Sequence, residues 1–185
     1  MKIFKIIGIS ILVIIGATLL VAAFSEKEYS AERNIVINQP KAEVFEYVKY
    51  LRNQDNFSKW SSMDPEMKKE YKGRDGTVGF ISSWESENEE VGVGEQEIIK
   101  IEEGNRIDYA LRFIEPFESS ERAYIEVESL DANKTKVTWG FKGEMDYPMN
   151  VMLFVMDFDA MLGADFQYGL EELKKILESK TLLIK

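Results

Sequence analysis

Acid–base and nucleophilic chemistry has few carriers in this chain, which holds no histidine and no cysteine among its 185 residues. The commonest general base and the thiol nucleophile are therefore missing. Zinc or copper sites built on imidazole or thiolate are excluded. No aspartate-rich loop has calcium spacing, and Glu85 to Glu90 reads as a charged hairpin tip. Gly92-Val93-Gly94 lacks the strand–turn–helix setting of a phosphate loop and reads as the start of a strand. Neither a metal nor a cofactor is expected. The remaining weak candidates for proton transfer are Asp159 and Tyr109, with Arg112 third and facing outward by strand alternation.

Asp159 stands out by its neighbours. Stepping 100° per residue along the last helical segment puts Val151, Met152, Val155, Phe158, Leu162, Phe166, Gly169, Leu170, Leu173 and Leu177 on one side. Asp159 falls in the same arc. A carboxylate there is costly unless paired, and burial raises its pKa. It would act as an acid or base, orient a ligand hydroxyl, or pair with Arg106, Arg112 or Arg122. A kink near Met156 would instead expose it at a cavity mouth. Asp157 and Asp165 point away from the stripe and read as solvated. Methionines 149, 156 and 161 flank the stripe; they suit a pocket of adaptable shape and equally suit plain core filling.

The strands supply the rest of an apolar interior. Ile107, Tyr109, Leu111 and Phe113 share one strand face, as do Ala123, Ile125 and Val127, and Val137, Trp139 and Phe141. Such faces suit either an ordinary sheet–helix core or the wall of a cavity.

The elements that must position these residues follow from periodicity and turn chemistry. Arg33 to Asn38 alternates as a strand after a polar tether, Ser25 to Ser30. Pro40 suits the first turn of a helix over Lys41–Leu51, with Val44, Phe45 and Val48 on one face. A second helical piece covers Asn53 to Trp60. Strands are predicted near Lys68–Lys72, Thr77–Trp84, Gly94–Glu102, Arg106–Ile114, Glu121–Ser129 and Lys136–Gly143, and Glu103-Gly104-Asn105 reads as a tight hairpin. A last helix occupies much of Asn150 to Ser179. Antiparallel strands in a run, with helices segregated, make an α+β fold.

Several short stretches recur in a familiar order: Ile35 to Trp60, Gly76-Thr77-Val78-Gly79, Trp84, Gly92-Val93-Gly94-Glu95, Thr135 to Trp139, and Asp165 to Leu173. Together they resemble the SRPBCC superfamily of START-related helix-grip domains, especially its polyketide cyclase/dehydrase-like branch. The resemblance covers Tyr29 to Glu178. It implies a curved antiparallel sheet of about seven strands around a long C-terminal helix, with an apolar cavity between them. It also implies a container for a hydrophobic small molecule or lipid. The lining expected on that basis is Trp60, Trp84, Tyr109, Phe113, Trp139, Phe141, Met152, Val155, Phe158 and Phe166. The alternatives are a cyclase/dehydrase-like enzyme using Asp159 and Tyr109, and a protein-interaction module that holds no ligand.

Ahead of this domain, Ile6 to Phe24 carries no charge and follows Lys2 and Lys5. A bilayer core takes about 20 apolar residues as a helix, whereas a signal-peptide core runs about 7–15. Residues 1–25 therefore read as a membrane anchor, with a cleaved signal peptide ending near Val21-Ala22-Ala23 as the rival, and residues 26–185 as the domain. Lysines before the apolar run are kept in the cytoplasm, so the domain is expected to be periplasmic or extracellular. The chain has 23 basic and 33 acidic residues, a net charge of −10. Setting aside Lys2 and Lys5 leaves 21 basic residues and a net −12. Nucleic acid and flat adsorption on anionic lipid are disfavoured by that charge. Oligomeric state is not legible.

Overall fold

The computed structural model describes residues 2–182; Met1, in the expected anchor, and residues 183–185, at the end of the expected domain, lie outside them. Helix α1 spans Lys2–Phe24. Strand β1 follows at Glu28–Ile37, earlier than its alternation suggested, so the tether shrinks to three residues, 25–27. Asn38-Gln39 ends the strand, and the Pro40 carbonyl accepts the first amide bonds of α2, Lys41–Val48. Val44, Phe45 and Val48 are buried beneath that helix. The second helical piece divides into a 3₁₀ turn at Leu51–Asn56 and a short helix α3 at Lys59–Met63.

Six strands then run as a meander: β2 Lys68–Lys72, β3 Ile81–Glu85, β4 Val93–Glu102, β5 Arg106–Glu115, β6 Ser119–Asp131 and β7 Lys134–Glu144. β3 starts four residues later than expected. Gly76 and Gly79 both take positive φ there, which ends strand geometry before Phe80. All seven strands form one antiparallel sheet in the order β1-β7-β6-β5-β4-β3-β2. Each step of the meander joins sequence neighbours, and β1 closes onto β7, the last strand. This is the α+β helix-grip architecture.

The last helix is shorter than its apolar periodicity predicted. Met149–Phe154 is a 3₁₀ turn, Val155 to Asp157 breaks the path, and α4 runs over Phe158–Leu182. It packs along β1 and β7 and reaches α3. Phe166, Leu170, Leu173 and Leu177 are buried against the sheet, where Ile107, Tyr109, Ile125, Val137 and Trp139 meet them as one core. Each such side chain contributes about 1.5–3 kcal/mol by leaving water. Gly169 lets the helix come close to the cavity wall: a Cβ there would stand 2.7 Å from Trp139 Cζ3 and 3.1 Å from the Phe57 carbonyl.

Candidate functional site

A cavity of about 310 Å³ lies between the sheet, the 3₁₀ turn at Leu51–Asn56, α3 and α4. That is at the small end of the roughly 300–1,000 Å³ found for small-molecule sites. Its floor is strand side chains with inward parity: Ser82 and Trp84 from β3, Gln96 from β4, Leu111 and Phe113 from β5, Ala123 from β6, and Trp139 and Phe141 from β7. Trp60, Leu162 and Phe166 close it from the helices.

The rings hold one another in place. Trp139 stacks on Phe166 with centroids 5.0 Å apart, and Trp60 meets both edge-on at 6.3 and 5.8 Å. Trp84 meets Phe113 edge-on at 6.1 Å, and its indole N–H donates to the Val91 carbonyl at 3.2 Å. Edge-to-face and offset pairs of this kind add about 0.5–1.5 kcal/mol each beyond buried area.

One stretch of wall is polar. Lys69 of β2 donates to Asp55 Oδ1 at 2.5 Å and to Ser61 Oγ at 3.1 Å. The Tyr71 hydroxyl donates to the other Asp55 oxygen at 2.7 Å, and burial followed by this carboxylate pushes its pKa up to about 12. Gln54, Ser58, Ser82 and Gln96 also face the space. None of these was singled out from the sequence. The signal was present in β2, where Lys69 alternates onto the same face as Tyr71, away from Lys68, Glu70 and Lys72.

Of the lining expected from the sequence, Trp60, Trp84, Phe113, Trp139, Phe141 and Phe166 line this cavity. Tyr109, Met152, Val155 and Phe158 do not. Tyr109 lies deeper, fully buried in the core, and burial raises its hydroxyl well above the ordinary tyrosine range. Val155 is 76% exposed, because the chain leaves helical geometry there. Phe158 packs on Tyr29 at 4.7 Å beside a wider groove of about 640 Å³ between residues 25–30 and 153–159. That groove is the larger space, but it is more open than the aromatic cavity. Glu26, Glu28, Asp157 and Asp159 line it together with Tyr29 and the apolar side chains of residues 153–156 and 158.

The two acid–base candidates are not brought together. Asp159 pairs with Arg33 of β1, none of the three arginines expected. Nη1 donates to Oδ1 at 2.9 Å and Nη2 to Oδ2 at 3.1 Å, with a further bond from Nη2 to the Asp159 carbonyl at 3.0 Å. The guanidinium lowers the Asp159 pKa, opposite to the rise that burial would have caused. The break before Phe158 explains the difference, since it places Asp159 in the first turn of α4, where the carboxylate is half-exposed. Arg112 does face outward, holding Glu95 at 2.7 Å and Glu97 across β4. Asp165, expected in solvent, is half-buried, and that burial raises its carboxyl. Among the described residues, no cluster of three histidine, cysteine or carboxylate side chains is placed to hold a metal ion.

An aromatic-walled cavity under a C-terminal helix, gripped by a curved antiparallel sheet, defines the class: a helix-grip domain. The chain belongs to the polyketide cyclase/dehydrase and lipid transport family, whose model matches residues 29–178. Similar solved structures share the fold at low identity. A norcoclaurine synthase point mutant from Thalictrum flavum, solved with a transition-state analogue, is 12% identical; the match covers 84% of this chain and 98% of that one with a TM-score of 0.60. Ara h 8.0201 is 14% identical over 82% of this chain and 99% of its own, with a TM-score of 0.54. A Thermobifida fusca protein solved by NMR is 19% identical over 78% and 90%, with a TM-score of 0.53. No curated protein matches this sequence.

Proposed function

We propose that this protein is a membrane-tethered binding domain that holds a hydrophobic small molecule or lipid in the cavity between its sheet and α4. The observation that carries the reading is the cavity itself: an aromatic space with a Lys69–Asp55–Ser61 cluster on one wall. Affinity would come from burying apolar ligand surface, at about 25 cal/mol per Å². The polar cluster would fix which end of the ligand enters. The ligand is therefore amphipathic, with an apolar body and at least one hydrogen-bonding group. Membership of a family that includes lipid transport supports the same reading.

Tethering rests on α1. Its 23 residues give a length of about 34 Å at 1.5 Å per residue, enough for a hydrocarbon core of about 30 Å. Its side chains are exposed almost throughout, so it contributes little to the domain's own core. Lys2 and Lys5 would stay in the cytoplasm, leaving the domain periplasmic or extracellular.

Native mass spectrometry of the full chain released from mild detergent tests the binding reading, together with a screen of fluorescent fatty acids and aromatic probes. A retained or acquired small molecule at one per chain supports it. Absence of any ligand in both measurements overturns it and favours an interaction module.

A further inference from the structure

No charged residue lies between Asp146 and Asp157, in a chain whose residues are 30% charged. That stretch, Tyr147 to Met156, forms the 3₁₀ turn and the break before α4. Several of its apolar side chains project outward: Tyr147, Met149, Phe154 and Val155 are exposed, and Met161 of α4 joins them. Phe154 and Val155 are 67% and 76% exposed, against the usual burial of such residues in a soluble domain.

The same turn grips the end of α1. The buried Asn150 amide donates to the Ala22 carbonyl at 2.7 Å, with longer bonds to Ser25 and Glu26 at 3.4 Å. The Ser25 hydroxyl donates to the Val21 carbonyl at 2.7 Å. These bonds satisfy carbonyls that a helix C-terminus leaves unpaired, a need that grows where water is scarce. Ala22 is 1% exposed, although the rest of α1 is open. The uncharged turn is thus level with the last turn of α1, with no slack between them.

We propose that the Tyr147–Met156 turn is a second membrane contact, seated at the interface of the leaflet from which α1 emerges. This rests on α1 spanning the bilayer. If it does, its last turn lies at the hydrocarbon boundary, and the turn docked on Ala22 lies there too. Phe154 and Val155 then enter the acyl boundary and the Tyr147 ring sits at headgroup level. The surrounding charges, Glu26, Glu28, Asp146, Asp157 and Asp159, are acidic apart from Lys27 and the paired Arg33. The surface therefore suits zwitterionic headgroups and resists anionic ones. The contact orients the domain on the bilayer instead of leaving it on a loose tether.

The absence of cysteine allows a direct test with single-site labels on the full chain. Phe154→Cys, Val155→Cys, Ile14→Cys and Asn133→Cys would each carry an environment-sensitive dye in phosphatidylcholine vesicles containing doxyl lipids. Asn133 lies in the β6–β7 turn, at the far end of β7 from Glu144 and the α1 junction. The proposal predicts lipid quenching and a blue shift at 14, 154 and 155, and a water-like signal at 133. Adding phosphatidylserine should reduce the signal at 154 and 155 and leave that at 14. A water-like signal at 154 and 155 with quenching at 14 overturns this proposal alone. A blue shift there without lipid quenching overturns it in favour of contact between two copies of the chain. No quenching at 14 removes the membrane anchor and this proposal with it, while leaving the ligand cavity standing.

Discussion

Lys69 Nζ stands 2.5 Å from Asp55 Oδ1 on the wall of a cavity otherwise built largely from aromatic and aliphatic side chains. The lysine comes from the outer strand of the sheet and the aspartate from the 3₁₀ turn that follows α2. The pair therefore joins two elements that pack around the cavity. With side chains 20% and 30% exposed, it is shielded enough to matter and wet enough to accept a new partner.

Lys69→Met should separate structural from binding roles. Leaving Asp55 with only the Tyr71 hydroxyl costs about 1–3 kcal/mol of stability, measurable by urea denaturation. Affinity for ligands with a polar head should fall roughly tenfold, the equivalent of about 1.4 kcal/mol. Wholly apolar probes should bind as before. Equal losses for both kinds would show that Lys69 acts only through the fold.

Gly169→Ala should disturb the cavity from behind. Its Cβ would stand 2.7 Å from the Trp139 ring and 3.1 Å from the Phe57 carbonyl, so α4 must lift or the indole must turn. Overpacking of this kind costs about 1–3 kcal/mol. A changed tryptophan near-ultraviolet circular dichroism signal would accompany the loss, because Trp139 stacks on Phe166 and meets Trp60.

The Arg33–Asp159 pair gives a pH signature. The guanidinium holds the Asp159 carboxyl below its ordinary value, so the pair stabilises the fold above the unfolded carboxyl's pKa, about 3.9. That contribution disappears as pH falls through the lowered folded value. Asp159→Asn should therefore be less stable than the parent at pH 6, and the two should converge as pH falls through that lowered value. Gly163→Ala should act on the same pair, since its Cβ would lie 2.1 Å from Arg33 Nη2, and the two substitutions together should cost less than their sum. An unchanged difference between parent and Asp159→Asn from pH 6 to pH 3 would contradict the assignment.

Tyr29, Tyr71 and Tyr124 are each pushed up to about 12, chiefly by burial. Unfolded tyrosine ionises near 10. The folded state thus keeps protons that the unfolded state has lost, and the stability these groups contribute is present below pH ~10 and declines toward pH ~12. Absorbance at alkaline pH should show a late phase in the folded chain that moves to lower pH in urea. A single phase near 10 in the folded chain would contradict this.

The strands were legible because alternation and turn residues coincide. β2 lies at Lys68–Lys72 as read, and β4 and β5 flank the Glu103-Gly104-Asn105 turn within a residue of expectation at each end. The path before α4 was not legible. Met149 to Met156 is apolar nearly throughout, so a 100° step finds partners whether or not the backbone is helical. Asp159 keeps its predicted face on α4 but lies at the exposed start of the helix, as a kink near Met156 would place it, and meets Arg33 of β1 there. The polar wall was missed for another reason. Asp55, Ser61 and Lys69 meet only once the helical piece folds over the sheet, and no local periodicity carries that crossing. The Asn150 bonds to the end of α1 are equally non-local, joining residues 128 apart in sequence.

The most direct test of the account fills the cavity from its floor. Ala123→Leu and Leu111→Phe both add carbon atoms to strand positions that line the space. Titration of the full chain with a fluorescent hydrophobic ligand should give saturable binding at one site, weakened at least tenfold in both variants without loss of melting temperature. Binding of equal strength in the parent and in both filled, stably folded variants would show that the ligand does not occupy this cavity.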